Sequence, residues 1–240
     1  MRIQKYISQC GACSRREAER RILEGGVTVN GHPAQIGQDV DENADRVCLD
    51  GRVLKLPTNG TVTLAFNKPK GYFCTNSDPF DGGKTVFDLL PEPYAQIKLF
   101  CCGRLDKNSR GLLILTNDGE LANRVTHPSY GIIKRYRVVL NRDFDVSAVQ
   151  TLLRGVVCDG ERLRAERVIP ENKSGHGRGV EVWLNQGRKR EIRRMFEAIG
   201  YFVKELTRFQ IGSFEMKRIP EGSFRLMNER EISKLQKNPC

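Results

Sequence analysis

Features that define several common protein classes are missing from this sequence. No segment approaches the roughly 18 unbroken apolar residues that a membrane span needs. The amphipathic N-terminus lacks the apolar region of a secretory signal peptide. The phosphate-binding pattern GxxxxGK[ST], internal repeats and low-complexity tracts are also absent. We therefore expect a cytoplasmic globular protein that does not associate with a membrane and is not a P-loop nucleotide hydrolase.

Metal ligands are sparse and poorly spaced. The three histidines are scattered, and the CxxC pair Cys10 and Cys13 is followed by neither a second CxxC nor an HxxxH pattern. The sequence therefore predicts no metal site. Eight cysteines could form disulfides, but without an export signal we expect free, mostly buried thiols.

Acidic residues are too few to balance the basic ones. The 240 residues include 40 Lys and Arg against 29 Asp and Glu, which gives a net charge of +11. Such an excess favours a polyanionic partner, most commonly nucleic acid. With 39% hydrophobic residues, the chain can bury a core and form one or two domains.

The first 24 residues predict two helices. Ile3, Tyr6 and Ile7 have helical spacing. Ser14 followed by Glu17 has the spacing of a capping box and starts a second helix that reaches Glu24. Short strands are predicted after it, at 27–29, 47–49 and 52–54.

The second helix carries several arginines on its outer surface. Arg15, Arg16 and Arg20 share much of that face, where three glutamates partly offset their charge. Charge alone leaves two interpretations open, a solvated face or a face that binds RNA.

The most informative segment runs from residue 103 to 119, with the sequence GRLDKNSRGLLILTNDG. Residues 112–116 predict a buried strand that ends in an Asn-Asp-Gly turn. The polar loop before it places Asp106 between Arg104 and Lys107. From the residue types alone, Asp106 either caps a solvated turn or is a reactive group that the buried strand holds in place.

Two later segments also allow a structural and a functional interpretation. Residues 134–140 predict a strand in which Tyr136 would ordinarily be a half-buried packing residue. The sequence GRKREIRRM at 187–195 predicts a helix with an apolar inner side. Its cations could be a hydrated face or could serve a site.

Taken in order, these motifs resemble those of the pseudouridine synthases, specifically the RsuA/RluB/RluE/RluF branch. The resemblance rests on KPKG at 68–71, the segment 103–119, KRY at 134–136, GRKREIRRM, and Leu206-Thr207-Arg208 with Ile211-Gly212. The N-terminal string SRREAERRILEGGVTVNG resembles the alpha-L RNA-binding module of a ribosomal small-subunit protein.

The resemblance implies an α+β protein with two domains. Residues 1–56 would form the alpha-L RNA-binding domain, and 56–60 would be a linker. Residues 61–240 would form a catalytic domain built on a mixed, largely antiparallel β-sheet flanked by helices.

The resemblance also implies the site. Asp106 would be the catalytic carboxylate and Arg193 its partner, while Tyr136 would stack on an extruded uracil. Leu206 would supply an apolar wall, and Arg104 would enter the space that the flipped base leaves. Whether Asp106 attacks the nucleoside or removes a sugar proton remains open, and the isomerisation needs no cofactor.

The predicted partner is ribosomal RNA, bound by a monomer. The RNA contacts are assigned to Arg15, Arg16, Arg20, Lys68, Lys134, Arg188 and Arg190. The HPS run at 127–129, DGELANR at 118–124 and REIRRMFEAIG at 190–200 favour 23S large-subunit RNA. The alternatives are a 16S or transfer RNA substrate, or a non-catalytic RNA-binding factor for ribosome assembly. A hydrolase using Asp106 would lack the usual second carboxylate or metal cluster.

Overall fold

A computed structural model describes residues 1–56, 60–76, 82–172 and 177–239. The chain divides into two compact units, Met1–Thr61 and Val62–Cys240. Most of the predicted linker at 56–60, and the start of a predicted glycine-rich loop at 174–179, lie outside the described residues. None of the helices in the described ranges is long and apolar enough to cross a membrane.

The first unit packs two helices against a four-stranded antiparallel sheet. Its elements are α1 (Ile3–Gln9), α2 (Arg15–Leu23), β1 (Val27–Val29), β2 (His32–Pro33), β3 (Val47–Leu49) and β4 (Arg52–Val53), with strand order β2-β1-β3-β4. The Ser14 hydroxyl accepts a hydrogen bond from the Glu17 N–H at 3.2 Å, so half of the predicted capping box is present. The other half is missing because the Glu17 carboxylate binds Arg20 instead.

The second unit contains eleven strands and four α-helices within the described ranges. The strands are β5 (Thr63–Lys68), β6 (Phe100–Cys102), β7 (Arg110–Thr116), β8 (Lys134–Leu140), β9 (Val156–Cys158), β10 (Glu161–Leu163), β11 (Arg167–Pro170), β12 (Gly179–Leu184), β13 (Val203–Ile211), β14 (Phe214–Glu215) and β15 (Phe224–Leu226). The helices are α3 (Gly119–Thr126), α4 (Val149–Arg154), α5 (Glu191–Ala198) and α6 (Glu229–Leu235).

Nine of these strands form one sheet, with the order β11-β12-β8-β13-β7-β5-β15. β6 pairs with β7 and β14 with β13. The β13–β7 pair is parallel and the other pairs are antiparallel. The predicted mixed, largely antiparallel sheet is therefore confirmed. The order makes β8, β13 and β7 neighbours, which brings together three segments that are distant in sequence.

The apolar patterns of β8 and α5 explain which face of the sheet α5 covers. β8 alternates buried and more exposed residues, and the buried side chains Tyr136 and Val138 share a core with Leu206 of β13. Ile192 and Phe196 of α5 fill the same core. α5 therefore lies on the sheet face that carries Tyr136, and its inner side is apolar as its spacing predicts.

Two elements that the residue pattern predicts as continuous, an amphipathic helix at 146–154 and a strand at 162–169, are interrupted in the structure. Residues 146–154 open as a 3₁₀ turn, Val146–Ala148, before α4 begins. The single strand predicted at 162–169 is two strands, β10 and β11. They separate at the buried Ala165, whose N–H donates to the Leu152 carbonyl at 3.1 Å. Packing against α4 thus replaces strand pairing at that point.

Candidate active site

Asp106 lies in the loop that joins β6 to β7. The Ser109 N–H donates to the Asp106 carbonyl at 3.0 Å, which closes a turn, and Leu105 is buried beside it. The Gly71 N–H donates to the Lys107 carbonyl at 2.8 Å, so the KPKG segment supports the loop directly. The Asp106 side chain remains 36% exposed, which leaves its carboxylate accessible.

Lys68 holds this loop from inside the protein. Its side chain is 0% exposed. The ammonium donates to four backbone carbonyls, those of Pro69, Asp106, Lys107 and Ser109, at 2.9 to 3.3 Å. The prediction that Lys68 contacts RNA is therefore wrong, because a buried ammonium with this set of acceptors cannot reach a phosphate. Burial lowers the pKa of Lys68.

Arg193 of α5 faces the Asp106 carboxylate. Its Nε lies 3.8 Å from Oδ2 of Asp106, and its Nη1 donates to the Val203 carbonyl at 2.8 Å. Val203 is the first residue of β13, so the guanidinium is fixed by the sheet while it approaches the carboxylate. Its side chain is 13% exposed. Burial lowers the pKa of Arg193, as does Arg190, while Asp106 opposes that change.

Tyr136 and Leu206 form an apolar surface on the same side of the sheet. Tyr136 of β8 pairs with Arg208 of β13, and Leu206 pairs with Val138. Both Tyr136 and Leu206 are buried in one core that also includes Leu105, the residue before Asp106. The structure thus places the predicted tyrosine and apolar wall in the cluster that adjoins the Asp106 loop.

Three predicted arginines of the second unit lie on the surface. Arg104, Arg188 and Arg190 are exposed. Arg188 donates to the Arg162 carbonyl at 3.1 Å. Arg190 is the N-cap residue of α5 and has a left-handed backbone with φ of 51°, and its side chain makes no capping hydrogen bond. These positions leave their charges open to a polyanion.

Lys134 does not belong with those surface arginines. It is 8% exposed, and its ammonium donates to the Ile132 carbonyl at 3.0 Å. The RNA contact predicted at Lys134 is therefore wrong, since the first residue of β8 points into the same buried face as Tyr136. Burial, followed by the nearby charge of Arg208, lowers the pKa of Lys134 to about 8.

In the first unit, the three predicted arginines of α2 are exposed but not equivalent. Arg20 forms ion pairs with Glu17 and Glu24, both at 2.5 Å. Arg15 and Arg16 form no ion pair within the described part of the chain. Their charge is therefore more available to a phosphate than that of Arg20.

Sequence reasoning missed the role of Arg208. It is 2% exposed, and its Nε donates to the Leu112 carbonyl at 2.8 Å. Gly111, with φ of 104°, allows the close approach of β13, because a Cβ there would lie 2.2 Å from the Arg208 carbonyl oxygen. Two sequence features could have indicated this contact. They are the Gly111-Leu112 pair after the Asp106 loop and the arginine of the Leu206-Thr207-Arg208 segment.

The assembled site is an accessible carboxylate beside a fixed guanidinium, at the edge of an apolar surface. Among the residues that the structure describes, no group of three or more His, Cys, Asp or Glu could hold a metal ion. A carboxylate held beside a guanidinium at the edge of an apolar surface can act as a nucleophile or a base.

Comparisons with known proteins identify both units. Residues 62–198 match the RNA pseudouridylate synthase family, and residues 1–45 match the S4 domain. The chain is 36% identical to "Ribosomal large subunit pseudouridine synthase B" of Vibrio cholerae, over 98% of this chain and 74% of that protein. It is 34% identical to an "Uncharacterized RNA pseudouridine synthase" of Aquifex aeolicus, over 99% and 94% of the two chains.

The fold gives the same result. A solved structure described as "Crystal structure of pseudouridylate synthase" superimposes with a TM-score of 0.71 and 26% identity, and the match covers 98% of this chain and 99% of that one. The family match spans more than half of the chain and contains Asp106, Tyr136 and Arg193. The chain therefore belongs to the RNA pseudouridine synthases, isomerases that act on RNA, and carries an N-terminal S4 domain.

Proposed function

We propose that this enzyme converts a specific uridine of 23S large-subunit ribosomal RNA to pseudouridine, with Asp106 as its nucleophile. The observation that carries the catalytic assignment is the approach of Arg193 to the Asp106 carboxylate, at 3.8 Å. The substrate assignment rests on relatives that are named for the large ribosomal subunit. Isomerisation imports no group and changes no oxidation state, so the proposal invokes no cofactor.

Each residue has a distinct part in the proposed reaction. The Asp106 carboxylate attacks C1′ of the extruded nucleotide, and the C1′–N1 bond breaks. The released uracil rotates and its C5 bonds to C1′ while the bond to Asp106 breaks, and C5 then loses its proton and N1 gains one. Tyr136 stacks on the free base and Leu206 keeps water from it, while Arg193 holds the Asp106 carboxylate in position. Arg104, which is exposed in the same loop as Asp106, enters the gap that the extruded nucleotide leaves in the RNA.

The test is turnover by Asp106→Asn on transcripts of large-subunit ribosomal RNA, with pseudouridine read by chemical mapping. The substitution keeps size and removes charge, so we expect a folded protein that binds RNA and forms no pseudouridine. Asp145→Asn is the matched control, because Asp145 is an exposed cap far along the chain that accepts from the Ser147 N–H. Turnover by Asp106→Asn near that of Asp145→Asn would exclude the catalytic role.

Two further measurements test which RNA is modified and whether Asp106 is a nucleophile or a base. Mapping ribosomal RNA from cells that lack this protein should show one pseudouridine missing from the large subunit. A loss confined to the small subunit or transfer RNA would exclude the substrate assignment.

Uridines deuterated on the sugar ring should react at nearly the normal rate if Asp106 is a nucleophile. A primary isotope effect would make Asp106 a base instead.

A further inference from the structure

A basic surface extends from the end of α4 across the β9–β10 hairpin to the start of α5. It consists of five exposed cations, which we call the hairpin surface: Arg154 at the end of α4, Arg162 in β10, and Arg188, Lys189 and Arg190 before α5. Arg188 and Arg190 are RNA contacts that the sequence predicts, whereas no motif includes Arg154 or Arg162.

Three of these arginines are joined through backbone carbonyls. Nε and Nη2 of Arg162 donate to the Arg154 carbonyl at 3.2 and 2.7 Å. Nη1 of Arg188 donates to the Arg162 carbonyl at 3.1 Å. Gly155, with φ of 95°, permits the first contact, because a Cβ there would lie 3.2 Å from Arg162 Nε. The three residues therefore lie next to one another, although they belong to three different elements.

The acidic residues of this region have other partners. Glu161 accepts from Arg194 Nη1 at 2.8 Å, and the Asp159 carboxylate lies 3.2 Å from Arg194 Nη2. Glu191 is buried and accepts the Arg188 N–H at 3.1 Å. None of the five cations of the hairpin surface forms an ion pair with a residue that the structure describes. Their charge is therefore available to an anion from solution.

The hairpin surface continues to the active site through α5. Arg190 is the N-cap residue of α5, and Arg193, three residues later, faces the Asp106 carboxylate at 3.8 Å. The charge of Arg190 contributes to the lowered pKa of Arg193, so the two cations are close. A polyanion that binds along the hairpin surface would therefore lead to the proposed catalytic carboxylate.

The composition of the hairpin surface fits a phosphate backbone better than a protein partner. Val157 is the one large apolar side chain that is exposed on the hairpin, whereas protein interfaces usually have an apolar core. Arginine and lysine contacts to phosphate release counterions and do not depend on base sequence. Adjacent exposed guanidinium groups with no competing carboxylate are the arrangement that such contacts need.

We propose that the hairpin surface binds the phosphate backbone of the RNA on one side of the extruded nucleotide, with Arg154 and Arg162 as contacts in addition to Arg188 and Arg190. These contacts supply affinity and hold the RNA in place over the active site, while base choice is left to other residues. The choice of ribosomal RNA as the ligand rests on the proposed function, whereas phosphate contacts form with any RNA.

The test is the salt dependence of RNA binding by the full chain, measured by filter binding from about 50 to 200 mM KCl. The probes are a transcript of large-subunit ribosomal RNA and an unrelated RNA hairpin. Arg154→Gln removes a side chain that forms no hydrogen bond or ion pair in the described part of the chain. We expect it to reduce the slope of log K against log salt by about 1 on both RNAs.

Arg230→Gln is the matched control for Arg154→Gln. Arg230 is an exposed arginine of α6, which follows β15 at one end of the sheet, whereas the hairpin precedes β11 at the other end. It removes the same charge from the same chain, so the net charge of the two variants is equal. The slope of Arg230→Gln should remain that of the wild type.

Arg162 needs two variants, because its guanidinium also binds the end of α4. Arg162→Gln should lower both the salt slope and the melting temperature. Arg162→Lys keeps the charge without the planar guanidinium, so it should keep the slope of the wild type and still lower the melting temperature. A slope that falls equally in both variants would overturn the contact assigned to Arg162.

Unchanged slopes in Arg154→Gln and Arg162→Gln on both RNAs would overturn the proposal, as would an equal loss of slope in Arg230→Gln. If large-subunit RNA gained no pseudouridine, the proposed function would fail, and the slopes on the unrelated RNA hairpin would still decide whether the hairpin surface binds RNA.

Discussion

Lys68 is a buried ammonium that binds the Asp106 loop and Pro69 through four backbone carbonyls. Lys68→Met would leave those carbonyls without their shared donor. We expect the free energy of unfolding to fall by about 2–4 kcal/mol, the cost of leaving buried polar groups unpaired. We also expect kcat to fall because the Asp106 loop loses its anchor. Urea unfolding and single-turnover rates measure the two effects.

Lys70 provides the control for Lys68. It is two residues away and exposed, and its ammonium lies 3.5 Å from a Glu205 carboxylate. Lys70→Met should change stability by less than about 1 kcal/mol, as for other exposed ion pairs. If Lys68→Met instead kept full stability and flattened the salt dependence of RNA binding, Lys68 would be an RNA contact after all.

Lys134 should give stability a distinctive pH dependence. Burial lowers its pKa from 10.5 to about 8 in the folded protein. Between those values the unfolded chain binds more protons than the folded one, so the free energy of unfolding should rise with pH. Between pH 7.5 and 10 a shift of this size gives a rise of about 2 kcal/mol. Urea unfolding at pH 7.5 and 10 should show it in the wild type and not in Lys134→Met, and parallel curves for the two proteins would contradict it.

Arg193 is expected to serve chemistry rather than RNA affinity. Arg193→Met leaves the Asp106 carboxylate without its cation, so kcat should fall by roughly a hundredfold or more while RNA affinity is kept. Arg193→Lys should be intermediate, because it restores charge without the planar guanidinium. Rapid-quench kinetics and filter binding separate the two quantities.

Arg194 is the neighbouring control for Arg193. It binds Glu161 at 2.8 Å and the Cys158 carbonyl at 2.8 Å, on the β9–β10 hairpin. Arg194→Met should therefore lower the melting temperature and leave kcat per folded molecule nearly unchanged. Loss of turnover in Arg194→Met, with only weaker RNA binding in Arg193→Met, would show that the register of the motif on α5 is wrong.

At the scale of whole elements, α2 should bind RNA through charge alone. Arg15 and Arg16 are exposed and form no ion pair in the described part of the chain, whereas Arg20 is shared between two glutamates. Replacing Arg15 and Arg16 with Gln should reduce the slope of log K against log salt by about 1 to 2. Arg20→Gln should change it less, and a larger effect from Arg20 would contradict this ranking.

Local sequence patterns predicted the strands and helices that have one apolar face. The predicted strand at 134–140 has the observed bounds of β8. The spacing of Asn228 and Glu231 predicts a capped terminal helix, and these two residues form the capping box that starts α6. Long-range packing was not predictable. Nothing local in KPKG indicates that Lys68 is buried, because its burial depends on carbonyls about forty residues later.

At the scale of the whole molecule, each unit has a core of its own. Every residue of the core built around Ile3, Ile22 and Val47 lies within the first 56 positions. The other three cores use residues from 62 onward. A unit that buries its own core can fold alone. We therefore propose that the two domains are separable, with the RNA-docking function in the first and the chemistry in the second.

A fragment of residues 62–240 should fold cooperatively and keep its kcat at saturating RNA, because the proposed catalytic residues and the loop supports Lys68 and Arg208 all lie within it. It should need more RNA to saturate and show a shallower salt dependence, since the arginines of α2 are absent. Circular dichroism and turnover against RNA concentration at two salt concentrations measure these effects. A fragment that folds but cannot turn over at any RNA concentration would mean that the first unit takes part in the chemistry itself.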